Sequence, residues 1–221
     1  MIVSILPKMD ITFLGQASFK LKGKNATVVT DPYDSSIGLK FPKTSADIVT
    51  ISHDHHDHNA ASLVEGEPFK VDGPGEYEIK EVKIVGVSSF HDNKGGKERG
   101  KNIIFNMKID GLWLCHLGDL GQSELTNIQT EALGGVDVLL VPVGGVYTIE
   151  ASEAAKIAAE LEPKVVIPMH FADSDSNIEL EPVDKFLKEM GTEKVERQLK
   201  ISLKKEHLPE ELTVMLLNKV S

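Results

Sequence analysis

ISHDHHDHN, residues 51–59, places four histidines and two aspartates in the six positions from His53 to His58. Such a stretch is either a metal site or a solvated histidine tract without fixed geometry, and what surrounds it decides. ADIVTIS, residues 46–52, is a short, nearly continuous apolar run that reads as a buried strand ending at the cluster. The arrangement recurs along the chain: VKIVGVSSFHD (82–92) has His91 just past its end, LWLCHLGD (112–119) leads to Asp119, and KVVIPMH (164–170) ends on His170. Loops at strand ends carry function on a rigid scaffold, and surface histidines scattered by chance would not share this placement. Imidazole and carboxylate together suit a divalent borderline metal such as zinc, and seven such donors can hold two ions with an open coordination position. His53 and His55 are two apart and can converge on one ion, while Asp57 and His58 reach a second from the following turn.

Working outward, ITFLG and ASFKLKG alternate as strands, and ATVVTDP follows a turn at Gly23–Asn25, which makes an antiparallel opening. NIIFNMKI and LWLCHLGD are joined by Asp110-Gly111, a two-residue hairpin signal, and VDVLLVPVGG is a further buried strand. TIEASEAAKIAAELEP reads as a helix with Thr148 as N-cap, stopping before Pro163. PVDKFLKEMG is a second helix, opened by Pro182, with Val183, Phe186, Leu187 and Met190 on one face. LKISL and LTVMLL close the chain as strands. Neither a repeat nor a linker divides residues 1–221, so one domain is expected.

Lys and Arg number 24 against 34 Asp and Glu, a net charge of −10. Nucleic acid and anionic membranes are therefore not expected partners, and an anionic substrate would need a local basic patch. Cys115 is the single cysteine, which rules out an internal disulfide. The N-terminal MIVSILPKMD lacks a basic region ahead of its short apolar run, and no stretch has transmembrane length, so a cytoplasmic protein is expected.

The pattern His53-x-His55-x-Asp57-His58, followed by His91, Asp119 and His170, resembles the metallo-β-lactamase superfamily. TDPY, SHDHHDHN, GPGEYEI, HLGDLG and IPMHF are similar to its small cytoplasmic zinc-dependent hydrolase-like branch, related to ascorbate-phosphate lactonase-like proteins. The resemblance implies an α/β (α+β) fold, a four-layer αββα sandwich with a dimetal site at one edge. It assigns His53, His55 and His91 to a first metal, Asp57, His58 and His170 to a second, and Asp119 to the bridge between them. The cofactor implied is zinc, two ions per chain, with manganese or iron as alternatives. Asp31 matches an acid that supports the site from behind its ligands, although by itself Asp31-Pro32 also reads as an ordinary turn. Gln16, in FLGQASF, stands where some relatives have histidine. His116 is read as a hydrogen-bonded neighbour of the site, His56 as pointing outward, Cys115 as a buried thiol and His207 as a surface residue. For Glu76 and Tyr77 only the resemblance speaks.

A ligand set of this kind implies a hydrolase in which a metal-bridged hydroxide attacks an ester, lactone or phosphodiester, with Asp57 handling its proton. The alternative is a non-catalytic metal-binding or sensor protein that retains the fold. A TIM-barrel amidohydrolase also uses a His-x-His strand end, but that fold takes about 250 residues in strand–helix repeats and does not begin with antiparallel strands. DNKGGKERGK (92–101) places Lys94, Lys97, Arg99 and Lys101 in a glycine-containing loop just after His91. Arg99, with Lys97 and Lys101, is the expected contact for a small anionic substrate. Gly95, Gly96 and Gly100 are expected to let the loop close and reopen.

Overall fold

The computed structural model of the chain describes residues 8–192 and 194–220. Strands of the first half are β1 (Met9–Gly15), β2 (Ser18–Lys22), β3 (Thr27–Thr30), β4 (Thr44–Ser45), β5 (Ile48–Thr50), β6 (Val64–Glu65) and β7 (Phe69–Val71). β8 (Gly75–Ile79), β9 (Val82–Phe90), β10 (Lys101–Ile109) and β11 (Leu112–His116) form a meander. Then come α1 (Asn127–Leu133), β12 (Val138–Pro142), α2 (Ala151–Leu161), β13 (Val165–Met169) and α3 (Val183–Glu189). Short strands β14 (Arg197–Gln198), β15 (Ile201–Leu203), β16 (Thr213–Val214) and β17 (Leu216–Leu217) end the chain.

Two sheets result, ordered β15-β1-β2-β3-β5-β7 and β16-β13-β12-β11-β10-β9-β8. Successive side chains of a strand point to opposite faces, which sorts the core into layers. Phe13, Phe19, Val28 and Ile48 of the first sheet meet Ile84, Phe105, Leu114, Leu140 and Ile167 of the second in one buried cluster between the sheets. On its outer face the second sheet buries Cys115, Leu139, Val141 and Val166 under Leu133, Ile157 and Phe186 of the three helices. The first sheet's outer face, with Val29 and Val49, packs under Val64 of β6 and Ala61 of a short 3-10 turn. The expected α/β sandwich forms, its outer layer on this side thin.

Strand direction places the site. β9 and β11 both pair antiparallel with β10 and so run the same way, and β11, β12 and β13 are mutually parallel. Their C-terminal ends therefore share one edge. In the first sheet β3 and β5 are also parallel, and they bring the residues after them to the same place.

Four local features depart from the sequence reading. β8 and β9 form a hairpin through Lys80-Glu81, at φ 48° and 66°; this pair carries no turn signature, unlike Asp110-Gly111, which does join β10 to β11. Helix α1 is short, capped by Thr126, whose side chain accepts from the Gln129 amide, and seven residues are too few to show a period. The N-cap of α2 is Glu150 rather than Thr148, because Ile149 donates its amide to Leu120 O at 2.9 Å and keeps the chain extended one step longer. LTVMLL splits into β16, at the edge of the second sheet beside β13, and β17, which pairs with β14. Among the described residues no helix is long and apolar enough to cross a membrane.

Candidate metal centre

Asp31 follows β3, His53 follows β5, His91 follows β9, Asp119 follows β11 and His170 follows β13. Asp119 Oδ2 is the meeting point. It lies 3.2 Å from His58 Nε2, 3.3 Å from His170 Nε2, 3.4 Å from His91 Nε2 and 3.9 Å from His53 Nε2. Donor atoms of His53, His55 and His91 lie within 4.8 Å of one another, as do those of Asp57, His58, Asp119 and His170. His55 is half-buried and Asp57 keeps 13% of its side chain exposed, while the other five are buried.

Buried polar atoms in folded proteins are nearly always hydrogen-bonded. Here His53 Nε2, His58 Nε2 and Asp119 Oδ1 are buried at the centre without a hydrogen-bond partner, while His91 and His170 face it with Nε2 and leave Nδ1 buried and unpartnered. Orphans gathered at one point, with imidazole and carboxylate as the donors, fit divalent cations of the zinc, manganese or iron type. The electrostatics are those of a ligand shell. Burial pulls the His53 imidazole down to about 3, with the neighbouring His58 adding to the shift. Burial also works against a charged His58, but Asp119 and Asp57 outweigh it and hold this imidazole well above its usual range. For Asp119 burial pushes the other way, and His170 and His58 overcome it, so the carboxylate stays ionised.

Behind the donors is a hydrogen-bonded frame. Asp31 is fully buried, and Ser52 N donates to its Oδ1 at 2.8 Å. Its Oδ2 accepts the Ser52 hydroxyl at 2.5 Å and lies 3.0 Å from His58 Nδ1. Ser52 Oγ is also 2.9 Å from His53 Nδ1. Ser52 has one hydroxyl proton and gives it to the carboxylate, so its oxygen accepts from His53 Nδ1–H. The network thus assigns Nδ1–H to both imidazoles and turns both Nε2 atoms to the centre, with a free lone pair on neutral His53 and, on His58, a proton that a bound cation would displace. Asp31 also lies close enough to His53 and His58 to form a third donor group, but its oxygens are taken up by Ser52 and His58, so it braces. Asn102 Oδ1 accepts the Asp119 amide at 3.0 Å, and Gln16 Nε2 donates to Asp57 Oδ2 at 3.1 Å. His116 accepts from Gly118 N on Nδ1 and donates Nε2–H to Ala17 O at 2.7 Å, which ties the two sheets together beside Asp119. Gly118, at φ +58°, has no room for a side chain: a Cβ would lie 2.3 Å from Asn102 Oδ1.

Asp31, Gln16 and His170 adopt φ of 38°, 54° and 50°. Non-glycine residues rarely enter this region, and these three stand at the centre while the others of this chain lie in turns and at a helix end.

Five of the donors, His55, Asp57, His91, Asp119 and His170, floor a cleft of about 580 Å³ whose other wall carries Arg99, Tyr147, Asn177, Ile178 and Glu179. Exposed His56 sits on its rim. The Arg99 guanidinium stacks over the Tyr147 ring at 5.4 Å. Lys101 lines a neighbouring pocket, Lys97 is exposed outside both walls, and Lys94 pairs with Glu98 at 2.6 Å. The 92–100 loop is more ordered than its glycines suggest: the Asp92 carboxylate accepts backbone N–H bonds from Lys94, Gly96, Glu98 and Arg99, each 2.8 Å. Those amides hold its pKa far below the usual carboxylate range. Elsewhere, Cys115 is buried, with its thiol pKa pushed up by burial, and His207 lies exposed in a 3-10 turn. Tyr77 donates to Gly73 O on the edge strand β8, where Glu76 is exposed.

Ser52, Asn102, Asp92 and Tyr147 are the site residues that the sequence reading passed over. A signal existed for Asn102, a polar residue inside the otherwise apolar start of NIIFNMKI, and for Ser52, directly preceding His53.

The family described as beta-lactamase superfamily domain matches residues 10–170, from β1 through the last histidine of the centre. A UPF0173 metal-dependent hydrolase of Pyrococcus furiosus is 29% identical over 191 residues, covering 74% of this chain and 84% of the relative. Another of the same description, from Carboxydothermus hydrogenoformans, is 27% identical over 194 residues, with coverage of 74% and 84%. Among solved structures, a proposed zinc-dependent hydrolase of the metallo-beta-lactamase superfamily from Thermotoga maritima is 41% identical. It superimposes with a TM-score of 0.78 over 95% of this chain and 98% of that one. A metallo hydrolase from Ignicoccus hospitalis, 19% identical with a TM-score of 0.66 over 89% and 99% of the two chains, shares the fold. Strand ends converging on histidines and aspartates, a sandwich of two mixed sheets and a family match across most of the chain agree: the protein belongs to the metallo-β-lactamase superfamily.

Proposed function

We propose that the chain is a dinuclear metal-dependent hydrolase acting on an ester, lactone or phosphodiester bond of a small anionic metabolite in the cytoplasm. The observation that carries this reading is the set of orphaned donor atoms around Asp119 at the floor of an open cleft. His53, His55 and His91 would hold one ion and Asp57, His58 and His170 the other, with Asp119 available to both; zinc is the expected metal, with manganese or iron as alternatives. When bound, such ions supply Lewis acidity and lower the pKa of water from 15.7 to about 7. The rest falls to the chain's own residues. Gln16 engages Asp57 Oδ2, so Oδ1 is the oxygen left to take a proton from the attacking water. Arg99, held over Tyr147 on the opposite wall, presents its guanidinium fork to an anionic group of the substrate. With a net charge of −10, the surface does not favour a polyanionic nucleic acid as substrate.

The test is a panel of lactone, thioester and phosphodiester substrates, assayed with protein whose metal content has been measured by elemental analysis. Hydrolysis in one class, lost on chelation and restored by metal, is the expected result. Metal content near zero after reconstitution would overturn the reading. Full loading without turnover across the panel would favour the non-catalytic metal-binding alternative.

A further inference from the structure

Asn177, Ile178 and Glu179, which wall the metal cleft, belong to a loop, residues 172–181, that carries four acidic side chains, Asp173, Asp175, Glu179 and Glu181. The family match ends at His170, so this part of the wall is built from residues beyond it. Ile178 packs against the buried cluster of Tyr33, Ile37 and Leu39, and polar contacts do the rest. Asn177 donates its amide to Ile37 O at 2.9 Å, Glu181 donates to Gly144 O at 2.8 Å, and Ala172 donates to Glu181 O at 3.0 Å. Of the acids, Glu181 pairs with Lys185 at 2.6 Å, whereas Asp173 and Asp175 share one cation. Lys219 Nζ lies 2.7 Å from Asp173 Oδ2 and 3.1 Å from Asp175 Oδ2. Exposed ion pairs are worth little, but here the Lys219 and Asp173 side chains are only 21% and 23% exposed. Burial works against the Lys219 ammonium, and the hydrogen bonds to the two carboxylates outweigh it and raise its pKa. The backbone and stem of Lys219 are fixed as well. Lys219 bridges to Phe13, Val220 donates its amide to Phe13 O at 3.0 Å, and a Cβ on Gly15 would lie 3.2 Å from Lys219 Cδ. Gly15 precedes Gln16, whose side chain engages Asp57. A clamp therefore runs from the end of β1, beside the donors, to the loop that walls the cleft.

We propose that Lys219 is a positioning residue of the candidate site: through Asp173 and Asp175 it sets the wall of Asn177, Ile178 and Glu179 against which a ligand in the metal cleft rests. Without the ammonium, two carboxylates two residues apart lose their shared partner and repel each other. The loop then opens locally, since few apolar contacts hold it, while the two sheets stay closed. That the ligand is a substrate rests on the hydrolase reading above; the clamp itself does not.

The experiment compares full-length wild type with Lys219→Ala, Lys219→Arg and, as a control, Lys80→Ala, which removes the pair with Asp47 at the start of β9, away from His91. Amide hydrogen exchange is read residue by residue, and cobalt-loaded protein is titrated with two thiols, phenylmethanethiol and 2-mercaptoethanol, followed by the sulfur-to-cobalt absorption band. Lys219→Ala should speed exchange of the Asn177 and Glu181 amides about ten-fold, the scale of one charge-assisted hydrogen bond, and leave the amides of β13 as in wild type. It should weaken phenylmethanethiol, whose ring needs the wall, about five-fold, the scale of part of one apolar contact. 2-Mercaptoethanol, which needs only the metal, should bind as before. Lys219→Arg should restore most of both losses, and Lys80→Ala should match wild type. Unchanged loop exchange in Lys219→Ala overturns the proposal. So does faster exchange in β13 to the same degree, which would make the effect global, and so does equal weakening of both thiols, which would place it at the donors. Cobalt content and turnover on the substrate panel, read on the same samples, judge the hydrolase separately: loop exchange and phenylmethanethiol binding that depend on Lys219 in protein without turnover keep the clamp and discard the hydrolase.

Discussion

In the donor group of Asp57, His58, Asp119 and His170 every member is held from outside the centre. Gln16 holds Asp57, Asp31 holds His58, Asn102 holds the Asp119 amide, and Gln16 O accepts the His170 amide at 2.8 Å. In the group of His53, His55 and His91 only two members are held. His53 leans on Ser52, His91 is fixed through its backbone amide to Gly100 O at 3.1 Å, and half-buried His55 faces both the cleft and the neighbouring pocket. Ligands whose orientation is set in advance lose less freedom on binding, and second-layer partners of this kind are typically worth about 10–100-fold in metal affinity. An ion on the first of these groups should therefore be the last to leave, while the other faces the space where a substrate enters.

The largest effect that can break this comparison is Asp119→Ala. Both groups depend on a carboxylate within 3.9 Å of four imidazoles, so both metal equivalents should be lost after dialysis. Elemental analysis reads this directly, and a variant that kept both ions would remove Asp119 from the bridge. Next is Asp31→Asn, which weakens the acceptor of Ser52 and His58 at once. It should lower metal affinity about 10–100-fold in competition with a chelator, in both groups, because Asp31 reaches His53 through Ser52. An effect confined to one ion would cut the link through Ser52.

His55→Ala should cost one metal equivalent and leave the other, since His55 belongs to the less braced group alone. Loss of both ions would show that the groups form cooperatively and that the contrast between them is not one of independent sites. The smallest change is His56→Ala, on the exposed rim, where metal content and affinity should match wild type; a measurable loss would mean that the cluster is assigned to the wrong histidines.

Most strands and two of the three helices were legible because apolar periodicity and caps act within a few residues. The hairpin at Lys80-Glu81 was hidden, since that pair enters the left-handed region under tertiary constraint rather than by residue type. Helix α1 was hidden as well, because its cap spans four residues and its body makes barely two turns. The 92–100 loop is the clearest divergence. Its three glycines suggest freedom, whereas the Asp92 carboxylate ties four of its amides into one conformation and points Arg99 at the cleft.

By itself the sequence determined which residue types stand at the ends of which buried strands, and so the chemistry of the centre, because hydrophobic runs and the spacing His53, His55, Asp57, His58 are local properties of the chain. Only the tertiary structure decided which nitrogen of each imidazole faces the centre, that Asp31 and Ser52 jointly orient His53 and His58, that Asn102 secures Asp119, and that Lys219 meets Asp173 and Asp175. The physical reason is that each of these rests on a hydrogen bond or a wall made between residues distant in sequence. Such partners meet only once parallel strands from two sheets bring their ends to one edge.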